Sequence, residues 1–145
     1  MMPTADQVKG KAQRILAEKL GSAEVDRDGN LLFRLGSSVV FIQVSDLSNG
    51  RVAIKIVCPM VKDVPMSPAL CRWIAVEGQE YRFGGCYLNP NADGSTAWVY
   101  FRHSILGDDL DESELMTSVG AVAATADQLD NELQAKFGGT LFGSE

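Results

Sequence analysis

The sequence contains one histidine suited to acid-base chemistry, His103, which lies in the middle of a predicted strand. Nucleophilic catalysis needs a nucleophile, a base and a group that orients the base, all within hydrogen-bond reach. The sequence has neither a Gly-x-Ser-x-Gly motif nor a reactive-cysteine signature to supply them. We therefore expect His103 to be an ordinary strand residue, with its ring hydrogen-bonded or at the surface, and the protein not to be an enzyme.

Carboxylates cluster in the run Asp108-Asp109-Leu110-Asp111-Glu112-Ser113-Glu114. A calcium loop needs alternating oxygen donors around a glycine at the sharp turn, and Leu110 and Ser113 interrupt that pattern. Carboxylates are also stabilised at the N-terminus of a helix by the helix dipole. The run therefore predicts a helix cap, and no metal site is expected.

The cysteines and the glycine pairs also lack the spacing of known sites. Cys58, Cys71 and Cys86 form an odd set without the close pairs of a zinc site or the even number of a disulfide framework. Neither Gly84-Gly85 nor Gly138-Gly139 opens a helix after a strand, as a phosphate-binding loop would. We expect free thiols in a reducing compartment, and no cofactor.

The composition fits one compact domain, since 46% of the 145 residues are hydrophobic and 22% are charged. The 13 Lys and Arg residues against 19 Asp and Glu residues give a net charge of -6, which argues against nucleic acid as the main partner. The start of the sequence has no signal-peptide pattern, and no run reaches the roughly 18 to 20 apolar residues that span a bilayer. We expect a cytoplasmic protein that does not enter the membrane.

Hydrophobic periodicity and turn residues predict the elements that would position any site. They are a helix at Ala5–Leu20, strands at Leu31–Leu35, Val39–Val44 and Arg51–Cys58, a helix at Ser67–Glu77, strands at Tyr81–Leu88 and Thr96–Leu106, and a helix at Asp111–Phe137. This order predicts a single α+β domain at residues 1–139 with a five-stranded antiparallel sheet. Residues 140–145 form a short tail that either stays loose or docks through Leu141 and Phe142.

Alternate positions along the predicted strands define two faces of the sheet. One face is nearly all apolar and should lie under the helices. The opposite face mixes aliphatic and aromatic groups with cations, namely Phe41, Val57, Trp98, Tyr100, Arg34 and Arg102. Aromatic residues and arginine are enriched at interface hot spots, because rigid rings bury much area and guanidinium groups make forked hydrogen bonds. This face predicts a peptide-binding surface, unless the middle helix or scattered exposure accounts for these residues.

The middle helix carries apolar residues on more than one stripe, so it should contact two surfaces. A homodimer would supply the second surface, with Leu70, Trp73 and Ile74 at the interface. The final helix carries a long apolar seam of its own, so dimerisation through either helix fits the sequence.

Helix, three strands, helix, two strands, helix is also the element order of type III secretion chaperones. Four residue motifs extend the likeness: Trp73–Gly78, Leu106–Asp111, Val119–Ala123 with Ala126-Asp127, and Phe137–Gly139. The second half of the sequence thereby resembles the YbjN-like branch of that superfamily. The resemblance implies a non-enzymatic domain, often a homodimer, that holds an extended segment of a client protein against apolar patches.

Together these observations predict a chaperone-like module that binds a client peptide or protein. Client side chains would be buried on Phe41, Val57, Trp98 and Tyr100, and Arg34 and Arg102 would pair with client acids or carbonyls. An alternative from another class is a regulatory domain that binds a small molecule or single-stranded nucleic acid on the same face, since bases stack on exposed rings.

Overall fold

The computed structural model of the protein describes residues 2–143. Within them, three α-helices and seven strands follow one another. In order these are α1 (Ala5–Leu20), β1 (Glu24–Val25), β2 (Leu31–Leu35), β3 (Ser38–Asp46), β4 (Val52–Pro65), α2 (Pro68–Ala75), β5 (Gly85–Pro90), β6 (Thr96–Leu106), α3 (Glu112–Phe137) and β7 (Thr140–Leu141). A single 3-10 turn at Glu77–Gln79 follows α2. The predicted α+β class and the order of the main elements are confirmed.

Local side-chain contacts define the ends of the helices. The Thr4 hydroxyl accepts a hydrogen bond from the Gln7 backbone N–H, and the Gln7 side chain accepts one from the Thr4 N–H, which together make a capping box. Asp111 caps α3 by accepting from the Glu114 N–H at 2.7 Å. The acidic run is thus a helix start, as its composition predicts.

The strands form one sheet in the order β1-β2-β3-β4-β6-β5, with every pair antiparallel, and β7 pairs with β4 outside this path. The prediction of five strands was therefore wrong, because β1 and β7 add two. Each of these has two residues, which is too short to show the apolar alternation by which a strand is identified in a sequence.

Strand β4 is longer than predicted, since it continues past Cys58 to Pro65. Its pairing with β6 shifts register between Pro59 and Val61 and again between Val61 and Val64. Such bulges bend a strand without ending it. Pro59 therefore lies within β4, which continues beyond Val57, where its pairing with β3 ends.

The helices cover one face of the sheet, called here the inner face. Helices α1 and α3 pack on β3 and β4, and the side chains beneath are almost fully excluded from solvent. The strand residues of this core include Leu31, Phe33, Val40, Ile42, Ile54, Ile56, Cys58, Val99 and Phe101. Phe83, which strand alternation assigns to this face, lies before β5 begins and is 41% exposed.

Helix α2 also packs against the inner side of the domain. Leu70, Trp73 and Ile74 are buried within the protomer, with 0%, 7% and 8% of their surfaces exposed. The Trp73 ring meets the Phe137 ring of α3 edge-on, with 6.3 Å between centroids. These three side chains belong to the protomer's own core, so a dimer contact through α2 would use its exposed residues, such as Cys71 and Arg72.

Candidate functional site

The face of the sheet opposite the helices, called here the outer face, gathers five of the six side chains predicted to hold a client. Phe41, Val57 and Arg102 stand in register across β3, β4 and β6. Tyr100 and Trp98 precede Arg102 by two and four positions on β6, so their side chains share its face. Phe41, Val57, Trp98, Tyr100 and Arg102 are all partly exposed.

A groove of about 300 Å³ runs along this face over β4 and β6. Its lining combines aromatic, aliphatic and polar side chains: Gln43, Lys55, Val57, Pro59, Asn89, Trp98, Tyr100 and Arg102. None of these residues comes from a helix, so the middle helix does not cover the aromatic side chains. This volume is at the lower end of the range for small-ligand pockets, and an open groove of this kind suits an extended chain.

Arg102 makes a cation–π contact with an aromatic residue of this face. Its guanidinium carbon is 3.7 Å from the centroid of the Tyr87 ring, and the Tyr87 and Tyr100 rings stack with centroids 5.9 Å apart and planes 20° apart. A cation over an aromatic face is attracted by the ring quadrupole. The Tyr87 ring therefore positions the guanidinium, and Tyr100 supports that ring by stacking on it.

Tyr87 was missed by the sequence analysis. The alternation predicted for the strand before Asn89 places Cys86 on the outer face, but the register pairs Cys86 with the buried Phe101 and Tyr87 with Tyr100. The strand begins at Gly85, four residues later than predicted, and its phase differs by one. A one-residue phase change exchanges the two faces of a strand.

The groove carries a local positive charge in an acidic protein. Lys55 and Arg102 are among its lining residues, and no Asp or Glu is, although the net charge of the chain is -6. A carboxylate or a carbonyl oxygen would be favoured there over a cation.

Arg34 lies apart from the other predicted site residues. It is exposed on β2, opposite Val39, and β2 is three strands away from β6. Three strand spacings amount to roughly 14 Å. Arg34 instead lines a separate depression with Ser22, Glu24, Leu32 and Phe33.

The C-terminal segment docks against the outer face, which resolves the open question of whether the tail is loose. The Phe142 ring packs edge-on against Phe41, with 6.4 Å between centroids, and at a tilt against Trp98, with 5.7 Å between centroids. Residues 140 and 141 form β7 beside β4. Residues 144 and 145 of the predicted tail lie outside the described residues. Part of the aromatic surface is therefore covered by the chain itself.

His103 lies on β6 beside an aromatic ring. Its ring meets the Phe83 ring edge-on at 5.8 Å, and burial lowers the pKa of the imidazole. The shallow groove beside it is lined by Lys55, Gly84, Tyr87, Arg102, His103 and Ser104. Because no carboxylate is among them, a His-carboxylate pair does not form in this groove.

Cys58, Cys71 and Cys86 are free thiols in this structure. Burial raises the pKa of Cys58 to about 11 and that of Cys86 to about 12, whereas Cys71 is exposed. Both buried thiols are therefore protonated at neutral pH and poor nucleophiles. In the part of the chain that the structure describes, no group of three or more His, Cys, Asp or Glu side chains could hold a metal ion, and no helix is both long and apolar enough to cross a membrane.

Solved structures share this architecture. A chain from the crystal structure of the ExsC-ExsE complex matches with a TM-score of 0.52 and 17% sequence identity, over 85% of this chain and 93% of that one. YbjN from E. coli, proposed to be a transcription regulator, matches with a TM-score of 0.58 and 13% identity, over 94% of each chain. At these identities the likeness shows a common fold. No curated protein sequence gives a significant match.

A family model matches residues 6–145, which is nearly the whole chain including the docked C-terminal segment. The family is described as T3SS (YopN, CesT) and YbjN peptide-binding chaperone 1. The resemblance inferred from the motifs between Trp73 and Gly139 is confirmed by this match. The chain belongs to the TY-Chap1 family of T3SS and YbjN peptide-binding chaperones.

Proposed function

We propose that this protein is a non-enzymatic cytoplasmic chaperone that holds an extended client segment in the outer-face groove. The observation that supports the proposal most strongly is that this face is left open by the helices and is contacted by a short segment of the chain itself. No helix residue lines the groove that includes Val57, Trp98 and Tyr100, and the ring that packs against Phe41 and Trp98 is Phe142, which directly follows β7.

The chemistry of the groove favours a client with apolar or aromatic side chains at alternate positions. Such side chains would add their burial to that of Trp98 and Tyr100, at about 25 cal/mol per Å² of apolar surface removed from water. Arg102 and Lys55 would donate hydrogen bonds to client carboxylates or backbone carbonyls, since both lie in the groove without an acidic neighbour in its lining. Arg34 would contribute only to a client that crosses three strands.

A homodimer is part of the proposal. The family resemblance favours it, and the exposed side of α2 offers a surface around Cys71 and Arg72. Leu70, Trp73 and Ile74 would then support that surface from the core beneath it. Light scattering of the purified protein would measure the mass, and a mass equal to one chain at micromolar concentration would contradict the dimer.

Selection from a phage-displayed library of random dodecapeptides tests the binding site. We expect the wild-type protein to enrich peptides with apolar and aromatic residues at alternate positions. The double variant Trp98→Ala, Tyr100→Ala should bind the selected peptides at least about tenfold more weakly, since stacking and burial on aromatic anchors dominate such interfaces. The control is Phe83→Ala, which removes an exposed ring that lies against His103 outside the groove.

Two results would count against the proposal. One is a wild-type selection with no preferred pattern, and the other is equal affinity of the double variant for the selected peptides. Binding of a single-stranded oligonucleotide that weakens steeply with salt, together with no peptide enrichment, would favour the nucleic-acid alternative instead.

A further inference from the structure

Strands β3 and β4 separate at the edge of the outer-face groove. They pair from Asp46 and Val52 as far as Phe41 and Val57, and beyond that point β4 continues without β3. Val61 of β4 pairs with Val99 of β6 on one side and with Leu141 of β7 on the other. Strand β7 therefore fills the place next to β4 that β3 leaves.

Several contacts hold this segment in place. The Phe142 N–H donates to the Met60 carbonyl at 3.0 Å, and the Gln134 side-chain amide donates to the Gly139 carbonyl at 3.2 Å. On the outer face, the Phe142 ring packs against the rings of Phe41 and Trp98.

Gly139 makes the close approach of this segment possible. Its φ is +89°, and a Cβ atom there would lie 2.6 Å from the Lys62 carbonyl oxygen and 2.9 Å from a methyl carbon of Val61. Any other residue would push the backbone away from β4. The turn at Gly139 thus allows residues 140–142 to lie against β4.

We infer that residues 140–142 occupy the place of a client strand, and that a client is an extended segment with the same pattern, an aliphatic residue followed by a large aromatic one. The inference rests on the proposed function, because it names the class of client segment that would bind at the edge of the groove, beside β4. The aliphatic side chain would follow Leu141, which packs partly buried against the core. The aromatic side chain would follow Phe142 into the space between Phe41 and Trp98.

The docked segment is short enough to be displaced. Strand β7 has two residues, and Thr140 is exposed. A client must compete with a tethered segment, so its apparent affinity is reduced by the fraction of molecules in which the site is open. A substitution that loosens the chain's own segment should therefore strengthen client binding, whereas one that damages the groove should weaken it.

The test uses a labelled synthetic peptide, acetyl-Gly-Gly-Thr-Leu-Phe-Gly, which copies residues 138–143, and full-length protein in fluorescence anisotropy. We expect the variants Phe142→Ala and Gly139→Ala to bind this peptide at least about fivefold more tightly than the wild type. A peptide with alanine in place of its phenylalanine should lose that gain. The variant Phe83→Ala should behave like the wild type, since its ring lies outside the groove.

The inference is overturned if neither variant binds the peptide more tightly than the wild type. If Gly139→Ala fails to fold, as circular dichroism would show, Phe142→Ala carries the test alone, because it changes a surface ring and leaves the core intact. Failure here with successful selection of aromatic library peptides by the wild type would refute the displaced segment and leave the proposed function standing. If the Trp98→Ala, Tyr100→Ala variant bound the selected library peptides as tightly as the wild type, the proposed function itself would be refuted.

Discussion

The two faces of the sheet are built from similar side chains but differ in what covers them. Phe101 on the inner face is fully buried, and its neighbour Tyr100 on the outer face is partly exposed. Among the described residues, the inner face lies under helices, whereas the outer face is contacted by the C-terminal segment. The difference teaches that apolar content alone does not separate a buried face from an open one in this fold. The cations Lys55 and Arg102 and the polar tips of the tyrosines mark the outer face.

The largest expected difference between the faces comes from two consecutive residues of β6. Phe101→Ala should lower the free energy of unfolding by about 3 to 5 kcal/mol, because it leaves a cavity beneath the helices. Tyr100→Ala should lower it by about 1 kcal/mol or less, since its ring is partly solvated. Urea unfolding of both variants measures this, and equal losses would show that the outer face is part of the core.

The buried thiols give a difference that depends on pH and is absent at neutral pH. Their folded pKa values, about 11 for Cys58 and about 12 for Cys86, lie above the ordinary 9.0. The unfolded chain therefore releases these protons first, so stability present below about pH 9 is lost as pH rises toward 11, at about 1.4 kcal/mol per pKa unit.

The variant Cys58→Ala, Cys86→Ala should therefore show a shallower fall in unfolding free energy between pH 9 and pH 11 than the wild type. Urea titrations across that range provide the slopes. Cys71→Ala is the matched control, because this thiol is exposed, and its slope should equal that of the wild type. Identical slopes for all three proteins would mean that the inner face does not shield its thiols.

The smallest expected effect on stability belongs to the cation of the outer face. Arg102→Ala should lower the free energy of unfolding by no more than about 1 kcal/mol, since cation–π contacts at accessible sites are worth about that much. The same change should weaken acidic peptides more than neutral ones. Arg34→Ala is the control, and a preference for acidic peptides that survives Arg102→Ala would assign recognition of acids to another group.

The elements with local signals were predictable from the sequence. Thr4 with Gln7 and Asp111 with Glu114 are capping pairs within four residues, so α1 and α3 begin where the sequence indicates. The extension of β4 past Pro59 was not, because it depends on partners as distant as Val99 and Leu141. Pairing between residues far apart in the chain leaves little trace in local composition.

The candidate site was predictable to a similar extent. Alternation within β6 correctly placed Trp98, Tyr100 and Arg102 on one face. It could not place Arg34 relative to them, because alternation defines a face and not a position across the strand order. Tyr87 was missed because the predicted alternation of this strand was wrong by one residue. The strand starts at Gly85, where the Gln79 side chain packs in the space that a Cβ atom would take and donates to the Cys86 carbonyl.

The stretch of β4 beyond its pairing with β3 also affects whether copies of this chain aggregate at high concentration. Unpaired backbone amides and carbonyls along a strand invite pairing with other chains and lead toward aggregates. The hydrogen bond from Phe142 to Met60 and the pairing of Leu141 with Val61 satisfy that stretch from within. Docked in this way, β7 shields this stretch of β4 from pairing with strands of other molecules.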